Sequence, residues 1–332
     1  MHPSPPKIEL LERLAALAPF GDARVVLGLN GSDAIAAALK TAVLATGRPG
    51  VIAFEGGYSG LMYAPLALCG YSAAFREPFA AQLNPHVRFV PYPRDDLART
   101  LDALDAAFRE DVGAVVVEPI LGRGGVVIPP RGFLAALGER CRARGALLVA
   151  DEILTGLGRT GGRWACEDQG AVPDILCAGK ALGGGLPISA CIGRGEVMQA
   201  WGDPAGEAIH TATFAGNPLG CAAALAALDV LEREDLAARA RELGALLLAE
   251  LEPLRRHACV RDVRGRGLLA GVELDDGART LALVRALLER GYITLPAGRG
   301  AEVLSLTPPL TIAPELLRSF VATLDDLLEA SS

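Results

Sequence analysis

The segment from Asp174 to Pro187, DILCAGKALGGGLP, contains a single lysine, Lys180, between an apolar run and three consecutive glycines. Burial disfavours the charged form of a lysine and lowers its pKa, and a neutral lysine can form a Schiff base with an aldehyde. Consecutive glycines let a ligand approach the backbone where a Cβ would intrude. Taken alone, a lysine beside glycines is more often a solvated residue in a surface turn. The rest of the chain must decide between these two interpretations.

The composition indicates a large folded chain and excludes several functions. Hydrophobic residues make up 51% of the 332 positions, which is enough for a sizeable core. The net charge of −7, without a basic run, argues against nucleic acid as a partner. No apolar stretch reaches the length of a membrane span, so no membrane association is expected. Seven dispersed cysteines without a C-x-x-C pair predict reduced thiols in the cytoplasm and no zinc site.

The alternation of helical and strand patterns predicts an α/β fold with a largely parallel sheet. Apolar runs predict buried strands at residues 51–54, 87–90, 114–117, 146–150 and 175–178. The pattern changes after residue 216, where a long helix leads into short strands that alternate with helices. We predict a large domain over residues 1–233 and a smaller C-terminal α+β domain over residues 234–332.

Several predicted strands are followed by residues that could bind a ligand, as expected at the carboxyl ends of strands in an open α/β sheet. Gly31 and Ser32 open a helix, whose free N–H groups and positive dipole end suit a phosphate. The simpler interpretation is an ordinary N-cap formed by Ser32 or Asn30. Tyr58 follows a strand and two glycines, where its ring could stack on a planar ligand or lie at the edge of the core.

Two acids, Glu118 and Asp151, end strands that are otherwise apolar. A carboxylate in such a position must be paired or hydrogen-bonded to stay charged, and either acid could instead cap a helix or form a salt bridge. A carboxylate that faces a pyridine nitrogen would keep it protonated and make the ring an electron sink. An anion site, an aromatic residue, an acid and Lys180, in that order along the chain, together indicate pyridoxal phosphate.

Four segments resemble motifs of the class III (ornithine/ω-amino type) aminotransferases, which are fold-type I pyridoxal-phosphate enzymes. Residues 151–161, DEILTGLGRTG, and residues 179–187, GKALGGGLP, are similar to the central signature of that family. Residues 213–218, TFAGNP, and residues 264–268, RGRGL, resemble two further motifs. The resemblance implies a mostly parallel seven-stranded sheet flanked by helices, with a smaller C-terminal α+β domain.

The resemblance also implies roles for individual residues around the cofactor. Lys180 matches the lysine that forms the Schiff base, and Asp151 matches the partner of the pyridine nitrogen. Ile153 matches the residue on one face of the ring, and Tyr58 matches the residue on the other. Glu118 falls on the substrate side of the site.

The phosphate is expected to bind at Gly31 and Ser32, with help from a second subunit. In the family, the threonine that matches Thr213 reaches the phosphate of the neighbouring subunit. The resemblance therefore implies a homodimer with shared active sites. It also implies ping-pong transfer of an amino group from an amine donor to a 2-keto acid.

The expected donor is an amine or ω-amino compound, such as a diamine or an ornithine-like molecule. Ser305 stands where many members have an arginine that binds a substrate carboxylate, and residues 74–79, AFREPF, resemble a segment of the putrescine-type branch. The alternatives are an aminomutase or a decarboxylase of the same fold, or a non-catalytic shortened member. Dependence on an external keto acid separates a transaminase from an aminomutase.

Three further departures from the family pattern bear on the site. Leu154 stands where many members have a glutamine that hydrogen-bonds the phenolic oxygen of the cofactor, which a leucine cannot do. Ser59 stands where histidine is common. The phosphate-binding residues come only about thirty residues into the chain, so the sequence predicts that the family's preceding segment is absent.

Overall fold

The computed structural model describes residues 3–202 and 208–330, and its larger sheet has seven strands. They are β1 (Ala23–Gly28), β2 (Gly50–Phe54), β3 (Val87–Val90), β4 (Val112–Val117), β5 (Leu147–Asp151), β6 (Ile175–Ala178) and β7 (Ser189–Arg194). The strand order is β1-β7-β6-β5-β4-β2-β3. Strand β7 is antiparallel to both of its neighbours, and the other pairs are parallel. The prediction of a mostly parallel seven-stranded α/β sheet is confirmed.

Helices cover both faces of this sheet. They are α1 (Pro5–Leu17), α2 (Gly31–Thr46), α3 (Tyr63–Leu66), α4 (Ala73–Arg76), α5 (Leu97–Ala107), α6 (Phe133–Arg144), α7 (Gly195–Met198) and α8 (Pro218–Arg233). Alternate residues of β4 show the two layers: Ala114 and Val116 pack with α2, whereas Val115 and Val117 pack with α1, α6 and α8. Every residue of β4 is buried as a result.

A second, four-stranded sheet lies in the C-terminal part of the chain. Its elements are α9 (Leu236–Leu251), β8 (Val260–Arg266), β9 (Leu269–Leu274), α10 (Gly277–Glu289), β10 (Leu295–Ala297), β11 (Val303–Leu306) and α11 (Pro314–Ala330). The strand order is β10-β11-β9-β8, and all neighbours are antiparallel. This part has its own hydrophobic cluster. The boundary at residues 233 and 234 stays a prediction.

The structure differs from the sequence prediction in a few elements. The helix that we expected from Asp95 to Arg109 begins at Leu97, because the side chain of Asp96 caps it. The helix after residue 235 ends at Leu251 and continues as a 3-10 turn that contains Pro253, a residue that cannot extend an α-helix. Strand β10 was not predicted, because it has three residues and only one of them is buried. Among the described residues, no helix combines the length and apolarity needed to span a membrane.

Candidate active site

A cavity of about 530 Å³ lies at the carboxyl edge of the large sheet. It is lined by Asn30, Gly31, Ser32, Tyr58, Ser59, Gly60, Leu61, Met62, Glu118, Asp151, Ile153, Leu154 and Lys180. Parallel strands bring their carboxyl ends to the same edge, which is why residues so far apart in sequence meet here. Seven of the eight sequence-predicted site residues therefore share one cavity, and the eighth, Thr213, does not line it.

A larger surface groove, of about 930 Å³, lies near the amino ends of β2 and β4 and is rich in arginine. Its guanidinium groups already have partners. Arg48 donates to the carbonyl oxygen of Arg144, Arg88 pairs with Asp111, and Arg109 donates to the carbonyl oxygen of Phe108. The groove carries none of the predicted site residues, so the smaller cavity is the candidate active site.

Lys180 lies two residues after the end of β6 and has an unusual backbone. Its φ is 44°, in the left-handed region that residues with a Cβ rarely adopt, and it opens a short 3-10 turn, Lys180–Gly183, that is capped by Gly184 with φ 55°. Such strain persists where the surrounding structure enforces it, often at functional sites. The side chain is accessible to water in the cavity, yet the protein atoms around the ammonium group desolvate it. This desolvation lowers the pKa of Lys180, although Asp151 and Glu118 oppose the effect.

Asp151 ends β5 and is buried, with 4% of its surface exposed. Its Oδ1 accepts a hydrogen bond from the backbone N–H of Ile153 at 3.3 Å, and the Ser59 hydroxyl also bonds to the carboxylate. Burial raises the pKa of Asp151, while the Lys180 ammonium and these two hydrogen bonds lower it. The carboxylate is therefore held in one orientation and lies within the field of the lysine.

Glu118 follows β4 and has defined partners. One carboxylate oxygen accepts from the backbone N–H of Tyr58 at 2.7 Å, and the other accepts from the N–H of Gly122 at 3.0 Å. Burial, followed by the negative charge of Asp151, raises the pKa of Glu118. The side chain thus fixes the loop that carries Tyr58 as well as lining the cavity.

The amino end of α2 lies against the loop after β2, where its free N–H groups could hold an anion. The side chain of Asn30 is the N-cap and accepts from the N–H of Asp33, so the Ser32 hydroxyl is not needed for capping. Gly60 has a φ of 112°, and a Cβ added to it would overlap Ser32 Oγ. Gly60 therefore lies directly against Ser32, and both residues line the cavity together with Gly31 at the amino end of α2.

Ile153 is held between two glycines on one wall of the cavity. A Cβ added to Gly31 would lie 2.7 Å from Ile153 Cδ1, and one added to Gly179 would lie 3.3 Å from Ile153 Cγ2. Tyr58 supplies an aromatic ring to the same cavity. A flat apolar wall, an aromatic ring, a helix amino end, a buried carboxylate and a lysine are the groups that a phosphorylated pyridine aldehyde requires, so the site fits pyridoxal phosphate.

The structure also locates the departures from the family pattern. Leu154 contacts the backbone at Gly122, where an added Cβ would overlap its Cδ2, so it closes the cavity wall without offering a hydrogen bond. Ser305 lies half-buried in β11. Thr213 is exposed.

Sequence reasoning missed two features of the site. The bond from Ser59 to Asp151 depends on how the loop after β2 folds back over β5, although the position beside Tyr58 was a hint. The guanidinium of Arg123 lies 4.9 Å from the centroid of the Tyr58 ring, and no sequence pattern indicated that contact.

Comparison with known proteins agrees with this geometry. The family model described as class III aminotransferase matches residues 2–328. The chain is 39% identical to an acetylornithine aminotransferase of Methanopyrus kandleri, over 98% of this chain and 80% of that protein. It is 35% identical to a 4-aminobutyrate aminotransferase of Mycobacterium leprae, over 97% of this chain and 77% of that protein.

A solved structure has the same fold. An amine transaminase from an uncultivated Pseudomonas species, in its pyridoxal-phosphate-bound form, superposes with a TM-score of 0.92 and 29% sequence identity. The match covers 100% of this chain and 82% of that one. The chain therefore belongs to the class III aminotransferase family and is a pyridoxal-phosphate-dependent transaminase.

Proposed function

We propose that Lys180 forms the Schiff base with pyridoxal phosphate and that the enzyme moves an amino group from an ω-amino compound or other amine to a 2-keto acid. The observation that carries this proposal is the meeting of Lys180, Asp151 and the amino end of α2 in one cavity. The three groups come from different strand ends, and a plain surface lysine has no need of the other two.

The proposed roles follow from the chemistry of each residue. When bound, pyridoxal phosphate supplies an aldehyde that captures the substrate amine and a ring that withdraws electrons from the adjacent C–H bond. The Asp151 carboxylate, held by Ser59 and the N–H of Ile153, keeps a proton on the ring nitrogen. Lys180, whose pKa is lowered by desolvation, has a neutral fraction that can accept a proton from the substrate carbon and return it.

We also propose that the enzyme works as a homodimer in which Thr213 reaches the phosphate site of the partner. The support is local exposure: Ile209, Phe214 and Leu219 flank Thr213, and their exposed fractions are 61%, 66% and 70%. Large apolar side chains that are this exposed are expected to be covered by another surface. The proposed location is the cytoplasm, because all seven cysteines are free and buried.

An ω-amino substrate is supported by the relatives and by Ser305. The acetylornithine and 4-aminobutyrate aminotransferases are named for substrates whose reacting amine is remote from a carboxylate. Ser305 offers no cation for the α-carboxylate of an ordinary amino acid donor.

The test is a donor screen with pyruvate and 2-oxoglutarate as acceptors. We expect amine-dependent formation of alanine or glutamate that disappears in Lys180→Ala and persists in Arg109→Ala, which removes an exposed cation of the larger surface groove. Conversion of the donor without any keto acid would instead indicate an aminomutase or a decarboxylase. Full activity in Lys180→Ala would refute the catalytic role of this lysine.

A further inference from the structure

The loop after β4 places a positive charge beside Tyr58, a residue that lines the cavity. Its residue Arg123 has its guanidinium carbon 4.9 Å from the centroid of the Tyr58 ring and 5.1 Å from that of Tyr71. Both distances are within the range of a cation–π contact. The two rings hold the guanidinium beside Tyr58, the aromatic residue that lines the cavity.

The backbone that carries Arg123 is fixed on both sides. The N–H of Gly122 donates to Glu118, and the carbonyl oxygen of Arg123 accepts from the N–H of Gly298 at 2.9 Å. Further along the loop, Arg264 donates to the carbonyl oxygens of Gly125 and Val126. The position of the Arg123 side chain is therefore defined by the fold and does not depend on a mobile loop.

The guanidinium of Arg123 has no anionic partner within residues 3–202 and 208–330. Neighbouring arginines differ in this respect: Arg264 pairs with Asp262 and Glu273, and Arg299 lies 3.6 Å from a carboxylate oxygen of Glu55. Arg123 is also exposed. Its N–H donors are thus available to an anion that enters the cavity.

The loop also adjoins the strand on which the expected arginine is missing. In β11, Ser305 and Val303 are two residues apart and so share one face. Val303 packs against this loop, because a Cβ added to Gly125 would lie 3.4 Å from Val303 Cγ2. Ser305 is therefore on the side of β11 that faces the loop, but it carries no charge. Arg123, on this loop, places a cation beside Tyr58, which lines the cavity.

Building on the proposed function, we propose that Arg123 binds the carboxylate of the 2-keto acid acceptor, and the distal carboxylate of an ω-amino acid donor. A guanidinium can donate two parallel N–H bonds to a carboxylate, which supplies both charge and orientation. Arg123 thus sets specificity: it discriminates between carbonyl compounds with and without a carboxylate and takes no part in proton transfer.

The kinetic test compares wild type with Arg123→Gln, using one amine donor without a carboxylate and two acceptors, pyruvate and the uncharged aldehyde butanal. We expect the KM for pyruvate to rise about 10- to 100-fold in Arg123→Gln, as for the loss of a hydrogen bond to a charged group. The KM for butanal and the kcat should change less than about twofold. Equal effects on the two acceptors, or no effect on either, would overturn the proposal.

Two variants serve as controls. Arg299→Gln removes a nearby cation that has its own carboxylate partner, and it should leave both KM values unchanged. Arg123→Lys keeps the charge but loses the planar fork, so its KM for pyruvate should lie between those of wild type and Arg123→Gln. If Arg299→Gln raised the KM for pyruvate as strongly as Arg123→Gln, the effect would come from the general positive charge of this region and not from a contact with Arg123, and the proposal would fail.

A binding measurement separates this proposal from the proposed function. Glutarate has two carboxylates but neither a keto nor an amino group, so calorimetric titration reports its binding without any turnover. We expect its dissociation constant for the cofactor-loaded protein to rise at least about tenfold in Arg123→Gln and to stay constant in Arg299→Gln. A wild type that transaminates nothing would refute the proposed function, whereas equal glutarate binding by wild type and Arg123→Gln would refute the role of Arg123 alone.

Discussion

At the scale of single residues, two carboxylates and one lysine line the same cavity. The pKa values of Glu118 and Asp151 are raised mainly because burial disfavours their charged forms. The negative charge of Asp151 raises the pKa of Glu118 further. Hydrogen bonds from two backbone N–H groups lower this pKa and only partly offset the other two effects. Protonation of Glu118 in the folded state should therefore make the free energy of unfolding depend on pH.

Replacing Glu118 by glutamine tests this electrostatic account in the cofactor-free protein. The pKa of Glu118 is raised from 4.5 to about 7 in the folded state, so that state binds the proton more tightly than the unfolded chain does. The stabilisation is present below pH 4.5 and is lost as pH rises through 7. The free energy of unfolding of wild type relative to Glu118→Gln should fall by about 2 kcal/mol over this range in urea titrations.

The exposed Glu289 provides the matched control. Glu289→Gln makes the same chemical change at a residue that is exposed to solvent. Stability curves for Glu118→Gln and wild type that run parallel from pH 4.5 to 7 would show that Glu118 is not desolvated as described.

The residues at the strand ends could be predicted because of their chemistry, whereas their partners could not. Glu118 and Asp151 are conspicuous in apolar strands, and Lys180 is conspicuous beside three glycines. The backbone groups that hold Glu118 belong to loops whose conformation depends on tertiary packing. The same reason explains why the contacts of Ser59 with Asp151 and of Arg123 with Tyr58 were recognised only in the structure.

At the scale of elements, the proposed anion site depends on how closely the loop after β2 approaches the amino end of α2. Gly60 makes this approach possible, since it adopts φ 112° and leaves no room for a Cβ beside Ser32 Oγ. The strands that bring these elements together were predicted well, because each is a short apolar run. The very short elements α3, α4 and β10 were not predicted, because four residues or fewer show no periodicity.

Gly60→Ala should therefore weaken cofactor binding. The new methyl group must displace Ser32 or the loop, and the positive φ adds backbone strain of about 1–3 kcal/mol. We expect the dissociation constant of pyridoxal phosphate, measured from the absorbance of the bound cofactor, to rise about 10-fold or more. Gly132→Ala is the control, since Gly132 has φ 82° but open space around its Cα. The same dissociation constant in both variants would argue against the anion site at Ser32.

At the scale of the whole molecule, the proposed function requires two chains for each complete site. The cavity lies at the carboxyl edge of the large sheet, and Thr213 lies outside it on an exposed segment with apolar neighbours. In the proposed homodimer, Thr213 serves the phosphate site of the other copy of the chain. In the sequence, only the family resemblance indicated this arrangement, since it concerns a surface and not a core.

Mixed dimers test the shared site. Lys180→Ala and Thr213→Ala homodimers should each be impaired at limiting pyridoxal phosphate, because every site lacks one of the two residues. Co-refolding equal amounts should restore about a quarter of wild-type activity, since half of the dimers are mixed and each of these has one complete site. A mixture with no more activity than the average of the two homodimers would show that Thr213 does not serve the site of the other subunit.

The central claim is that Lys180 holds the cofactor covalently, and the chain allows a direct measurement because its other lysines are only Lys7 and Lys40. Borohydride reduction of the pyridoxal-phosphate-loaded protein, followed by peptide mass spectrometry, locates the modified lysine. We predict complete modification of Lys180, with Lys7 and Lys40 unmodified, and no modification in Lys180→Ala. Modification of Lys7 or Lys40 in place of Lys180, or of no lysine in wild type, would contradict the account.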